Sequence, residues 1–212
     1  MKTTNHPVYE KARRGEFITR TDVAKLIRSV LAAKFPGCRF SVRSDSSSIR
    51  IGWTDGPTRK QVEVVADEFE TKGFDGMIDL AYSRSFWLLP DGTAHHAHTD
   101  GTSGSMGSVP ETISSAPGPD AVLVERVQES FVFANRTLSA ASLQRGIEAY
   151  RAENWGYLER LEAAGQFSWD QVSVKPATEY TSASISCPVI QEPVSCRWLS
   201  DLLYGKAAEL EG

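Results

Sequence analysis

Three of the chain's four histidines fall in one short run, His95-His96-Ala97-His98, and Asp100 follows. Imidazole is the commonest metal ligand, and clustering lowers the cost of collecting several ligands. A metal site also needs partners that fix each ring, and a Gly- and Ser-rich surrounding offers none. The spacing matches no H-E-x-x-H pattern. His95, His96, His98 and Asp100 are therefore the metal candidates of a minor alternative, a metal-dependent enzyme. No G-x-S-x-G is present, and Gly101 to Gly107 lacks the Lys-Ser/Thr of a P-loop. No catalytic residue set and no cofactor is read, so the chain is expected to act by binding.

The second group is basic: Arg39, Arg43 and Arg50, with Arg59 and Lys60 close behind, preceded by Lys11, Arg13 and Arg14. Guanidinium forks match phosphate oxygens, and their planes stack on bases. Residues 1–60 hold 13 Lys and Arg against 5 Asp and Glu, while the whole chain has a net charge of −4. Such a split points to an acidic partner for the first third: a protein surface, a nucleoprotein complex or nucleic acid itself. The competing explanation is that the basic part docks on the acidic remainder of the same chain.

Positioning these residues requires ordered elements. Thr19 to Asp22 has capping-box spacing, and Val23, Leu26, Ile27, Val30 and Leu31 follow at helical spacing, which predicts a helix over 21–35 closed by Phe35-Pro36-Gly37. Phe40 and Val42, then Ile49, Ile51 and Trp53, alternate with polar residues across Ser44–Ser48. That is a hairpin with those five apolar residues inward and Arg39, Arg43 and Arg50 on the other face. With Trp53 and Phe40 pointing inward, no exposed stacking platform is expected. Thr58 to Gln61 caps a second helix carrying Val62, Val65, Ala66 and Phe69, ended by Gly73. Ile78, Leu80 and Tyr82 alternate as a third strand, continued or followed by Phe86 to Leu89. Residues 1–18 read as a loose lead-in.

The fold class expected is α+β: an antiparallel or mixed sheet with helices packed on one face, starting α-β-β-α-β. Residues 1–90 form the core. Residues 91–120, in which Gly, Ser, Thr and Pro supply 17 of 30 positions, read as a loop. Residues 121–212 add strands near 122–127, 130–134, 172–174 and 180–185, and helices after Ser139, over 157–164 and over 198–210. They complete the same domain or form a small second one. No run approaches the ~20 apolar residues of a membrane helix, and the start has no apolar signal region. Three cysteines without zinc spacing suit a reducing, cytoplasmic setting and no membrane partner.

Three phrases carry a resemblance: Phe35-Pro-Gly-Cys-Arg-Phe-Ser-Val-Arg-Ser44, Ser48-Ile-Arg-Ile-Gly-Trp-Thr-Asp-Gly-Pro57 and Gly73-Phe-Asp-Gly-Met-Ile-Asp-Leu80. Over about residues 22–90 the chain resembles the large polyvalent protein-associated domains of phages and conjugative elements. The resemblance implies an accessory or counter-defence role in a mobile element, and it singles out Asp55-Gly-Pro, Phe74-Asp-Gly and Asp79. It carries over no catalytic residues.

Overall fold

A computed structural model of the chain describes residues 5–75, 79–97, 113–153, 156–179, 181–187 and 196–210. It separates into two compact units, one made of residues 1–52 and 60–135, the other of 53–59 and 136–212.

The first unit opens with a helix where a loose lead-in was expected. α1 (Pro7–Arg13) starts on a proline, whose missing N–H costs nothing in a first turn, and His6 Nδ1 accepts the Val8 N–H at 3.2 Å. Val8, Tyr9 and Ala12 are buried, and the Tyr9 hydroxyl donates to the Asp120 carbonyl at 2.7 Å. α2 (Arg20–Lys34) carries the expected capping box: the Thr19 side chain accepts the Asp22 N–H, and the Asp22 carboxylate accepts the Thr19 N–H. Its stripe of Val23, Leu26, Ile27 and Leu31 is fully buried.

β1 (Ser41–Ser44) and β2 (Ser48–Thr54) form the predicted antiparallel hairpin, with Val42, Ile49, Ile51 and Trp53 buried. Phe40 is only half-buried and precedes the strand. α3 (Arg59–Ala66) stops earlier than Gly73. Its last turn tightens into a 3₁₀ turn over Asp67–Phe69, which still buries Phe69. Gly73 instead sits in β3 (Lys72–Asp75), paired with Tyr82 of β4 (Leu80–Ser83). Two strands therefore stand where one was read; Ile78 lies outside the described residues.

β5 (Phe86–Leu88) is the centre of a second antiparallel sheet, flanked by β6 (Ala94–His96) and β7 (Val122–Val124). β6 lies inside the stretch read as a loop, and Ala94 and Ala97 are buried there. Alternation was invisible in so short a segment, and pairing to β5 is what orders it. β8 (Phe131–Thr137) joins the first hairpin to give the order β1-β2-β8. β8 runs parallel to β2, with the Phe131 N–H donating to the Ser47 carbonyl at one end and the Asp55 N–H to the Thr137 carbonyl at the other, and an isolated parallel bridge joins Ile18 to Val127. The fold is α+β, with α2 packed against β1.

The second unit is built on α4 (Ala140–Ala152), N-capped by Ser139 as its sequence indicates. α5 (Gly156–Ala163), the antiparallel hairpin β9 (Ser173–Lys175) and β10 (Ser184–Ser186), and α6 (Cys196–Glu209) follow. Ile147, Tyr150, Leu158, Phe167, Leu199 and Leu203 make its core. α4 and α6 cross closely at Gly146, where an added Cβ would fall 2.4 Å from the Ala207 Cβ.

Candidate binding face

The hairpin loop is pinned by one carboxylate. Asp45 Oδ1 accepts the Ser47 and Ser48 N–H groups at 2.9 and 2.7 Å, and Oδ2 accepts the Ser48 hydroxyl at 2.7 Å. The same Oδ2 takes the Arg50 Nε–H at 3.1 Å. The Ser47 N–H foremost, then Ser48 and Arg50, hold the Asp45 carboxyl far below the usual range. Beneath the loop, the buried Arg20 guanidinium donates to the carbonyls of Asp45 (2.9 Å) and Glu129 (2.6 Å), which ties the hairpin to the start of β8.

This bracing fixes a register that sets Arg43 directly opposite Arg50. Both side chains are exposed, on the face away from Val42, Ile49 and Ile51. The expected grouping of arginines on one sheet face is thus met by two of the three. Arg39 is exposed but lies ahead of the paired register. Arg59 and Lys60 open α3 and are exposed there, on a helix and not on the sheet. An acidic neighbour for Arg50 comes from the loop of its own hairpin, Asp45.

β8 contributes what the sequence reading missed. Val132 and Ala134 are buried, so Phe131 and Phe133 face the open side, with Phe133 46% exposed. The two rings stack, centroids 6.2 Å apart and planes 29° from parallel. The Arg50 guanidinium lies 5.8 Å from the Phe133 centroid, and Lys72 Nζ lies 5.4 Å from that of Phe131. Both distances are within cation–π range. The open face therefore carries a continuous row, Arg50–Phe133–Phe131–Lys72, with Arg43 beside its first member. The signal was present in Phe131-x-Phe133, but only pairing with β2 shows which way the rings point.

The far edge of β8 is sealed. Glu70 Oε1 accepts the Val132 N–H at 3.1 Å, the Thr71 N–H donates to the Ser130 carbonyl, and the Ser130 N–H donates to the Thr71 hydroxyl at 2.9 Å. Burial pushes the Glu70 carboxyl above its ordinary value, although the Val132 N–H opposes that shift.

Four basic residues ahead of the hairpin are held locally. Lys11 and Lys25 both pair with Asp22, Arg13 with Glu10 and Arg14 with Glu16. Of the metal candidates, His95 and His96 occupy successive positions of β6 and so point to opposite faces. The His96 N–H donates to Glu68 Oε2 at 2.6 Å. His98 and Asp100 lie outside the described residues. Among the described residues, no group of three or more His, Cys, Asp or Glu is placed to hold a metal ion. No helix of the described residues is long and apolar enough to cross a membrane.

The Trp53-Thr-Asp-Gly-Pro57 phrase has a structural role in the second unit. The Trp53 indole donates to the Pro57 carbonyl at 2.9 Å. Asp55, at a φ of 55°, accepts the Ser139 N–H at 2.8 Å at the start of α4. Arg136 binds the carbonyls of Asp55, Gly56, Ala208 and Leu210. Burial raises the Asp55 carboxyl's pKa, but the Ser139 bonds, the Ser142 hydroxyl and the Arg145 charge together outweigh it and the net shift is downward.

No curated protein and no solved structure matches the chain. A family model does, over just under half of its length, and the matched segment includes Arg43, Arg50 and Lys72 but ends before β8. Residues 18–114 match large polyvalent protein associated domain 29, a domain found in proteins associated with phages and conjugative elements.

Proposed function

We propose that the protein is a non-catalytic accessory protein of a mobile genetic element, a phage or conjugative plasmid, which works in the host cytoplasm by occupying a nucleoprotein complex. Its contact surface is the open face of the β1-β2-β8 sheet. The observation that carries this reading is the row of Arg50, Phe133, Phe131 and Lys72 on one sheet face, with Arg50 and Phe133 exposed, Phe131 and Lys72 half-buried and the exposed Arg43 alongside. A stacked ring pair flanked by cations, with one ring exposed, suits an acidic partner that also offers flat surface. The family match supports the mobile-element setting. Blunting a host defence is the role such an accessory would serve.

The test is capture from host lysate with the tagged protein and with Arg43→Glu/Arg50→Glu, each with and without nuclease. Capture of a defined complex by the parent and its loss in the charge-reversed variant is the expected result. Equal capture by both proteins would remove this face from the function.

A further inference from the structure

We infer that the strand lying on this face is single-stranded nucleic acid, with a base stacked on Phe133 and its backbone phosphates held by Arg43, Arg50 and Lys72. The inference rests on the binding reading above and names the chemistry of the contact. Three features select this ligand.

The first is the inversion of β8. Val132 and Ala134 are buried while the half-buried Phe131 and the exposed Phe133 lie on the open side, which puts the larger apolar side chains on the solvent face. A strand used only for packing would face the other way, since burial of apolar area drives folding. Successive bases of an unpaired strand offer flat faces to such rings whatever their sequence. A duplex keeps its bases stacked inside and presents phosphates to a sheet face, so the rings would gain nothing from it.

The second is the placement of charge. The cations flank the ring pair at both ends, Arg50 beside Phe133 and Lys72 beside Phe131. A strand crossing the face from β2 toward β3 meets cation, ring, ring and cation in turn. Arg43 has no ion pair among those described, and it stands across from Arg50, so a phosphate between the two relieves their repulsion. Asp45 takes only the Nε edge of Arg50, through Oδ2. The rest of that guanidinium is open to a phosphate fork.

The third is rigidity. The Asp45 loop, the Arg20 brace and the Glu70–Thr71 seal fix the loop, the base and the outer edge of the sheet without using its open face. A braced platform loses little freedom on binding.

The experiment is fluorescence anisotropy with labelled oligothymidylate, the same oligonucleotide annealed to its complement, and poly-glutamate as an acidic competitor. Oligothymidylate is expected to bind at least roughly tenfold more tightly than the duplex, because only unpaired bases can stack on the rings. Three phosphate contacts predict a slope of log affinity on log salt of about −2. Phe133→Ser should weaken oligothymidylate by roughly tenfold or more. Arg43→Gln should make the salt slope shallower by about 0.7. Both positions are exposed, and circular dichroism with a melting curve checks that each variant folds. Equal affinity for single strand and duplex, or an unchanged Phe133→Ser, would overturn the inference. So would poly-glutamate competing as well as the oligonucleotide. If oligothymidylate fails while nuclease-resistant capture from lysate still depends on Arg43 and Arg50, the face is a protein-binding one and the proposed function stands without this inference. If both fail, the proposed function falls too.

Discussion

Asp22 concentrates several interactions on one carboxylate. Burial would raise its pKa, but the Thr19 hydroxyl, Lys11, Lys25 and the Thr19 N–H together bring it to about 2. An unfolded aspartate titrates near about 3.9. The folded value is depressed, so the stabilisation is complete above about pH 4 and is lost as pH falls from about 4 to about 2. Glu70 and Asp67 act in the opposite sense, because burial raises both, and they soften the protein's response to acid. Asp22→Asn should therefore be less stable than the parent at pH 6, with the gap closing by about pH 2 to 3. Denaturant midpoints at pH 6, 4 and 3 measure this, and a gap that stays constant with pH would remove Asp22 from the account. Trp53 is the other decisive residue, 4% exposed with its indole bound to the Pro57 carbonyl. Trp53→Ala should cost ~3–5 kcal/mol. Trp53→Phe keeps most of the volume but orphans the Pro57 carbonyl, which should cost ~1–3 kcal/mol. Thermal melts of the two variants separate packing from hydrogen bonding, and equal losses would show that the hydrogen bond carries the site.

Among the elements, those legible in the sequence are those whose signals are local. Thr19 and Asp22 mark the start of α2 by their spacing, the Ile49-x-Ile51-x-Trp53 alternation marks β2, and Ser139 marks α4. What was not legible depends on distant partners. α1 is only seven residues long and is capped by a histidine, an uncommon cap. β3 and β6 are short strands that exist because β4 and β5 pair with them. The binding face divides in the same way. The alternation of Arg43 and Arg50 could be read directly, whereas Phe131 and Phe133 become part of it only through the non-local pairing of β8 with β2. At this scale the sharpest energetic prediction lies in the second unit, at the α4–α6 crossing. Gly146 lowers the helix propensity of α4 by about 1 kcal/mol relative to alanine. Yet an alanine Cβ would sit 2.4 Å from the Ala207 Cβ and 2.8 Å from its Cα. The clash is with backbone, which cannot rotate away, so it outweighs the propensity gain. Gly146→Ala should destabilise the protein by ~1–3 kcal/mol, read from a denaturation curve. A neutral or stabilising result would mean that the two helices can part without loss.

On the scale of the whole chain, the question is what the basic first third is for. Residues 1–60 are strongly basic and the chain as a whole has a net charge of −4. Internal docking of one half on the other is one way to use such a split. Ion pairs of another kind are present among the described residues. Lys11, Lys25, Arg13, Arg14 and Arg50 all pair with carboxylates inside the same 60 residues. The pairs of Arg13, Arg14 and Arg50 are solvent-exposed and add little stability, whereas those of Lys11 and Lys25 close on the buried Asp22. They neutralise charge locally and leave Arg43 at the sheet face. The two uses predict different responses to charge reversal. If Arg43 and Arg50 served internal docking, Arg43→Glu/Arg50→Glu would set two carboxylates against an acidic surface and lower stability well beyond the effect of a surface change. If they serve an external acidic ligand, Arg43→Glu should stay within about 0.5 kcal/mol of the parent. Arg50→Glu should lose only the small contribution of its exposed pair with Asp45. Raising the salt then discriminates further, because repulsion between exposed charges is screened over about 10 Å at 0.1 M. The double variant should melt close to the parent at both low and high salt while losing its ligand at both. A large stability loss at low salt that recovers at high salt would assign these arginines to the protein's own electrostatics and leave the face without a binding role.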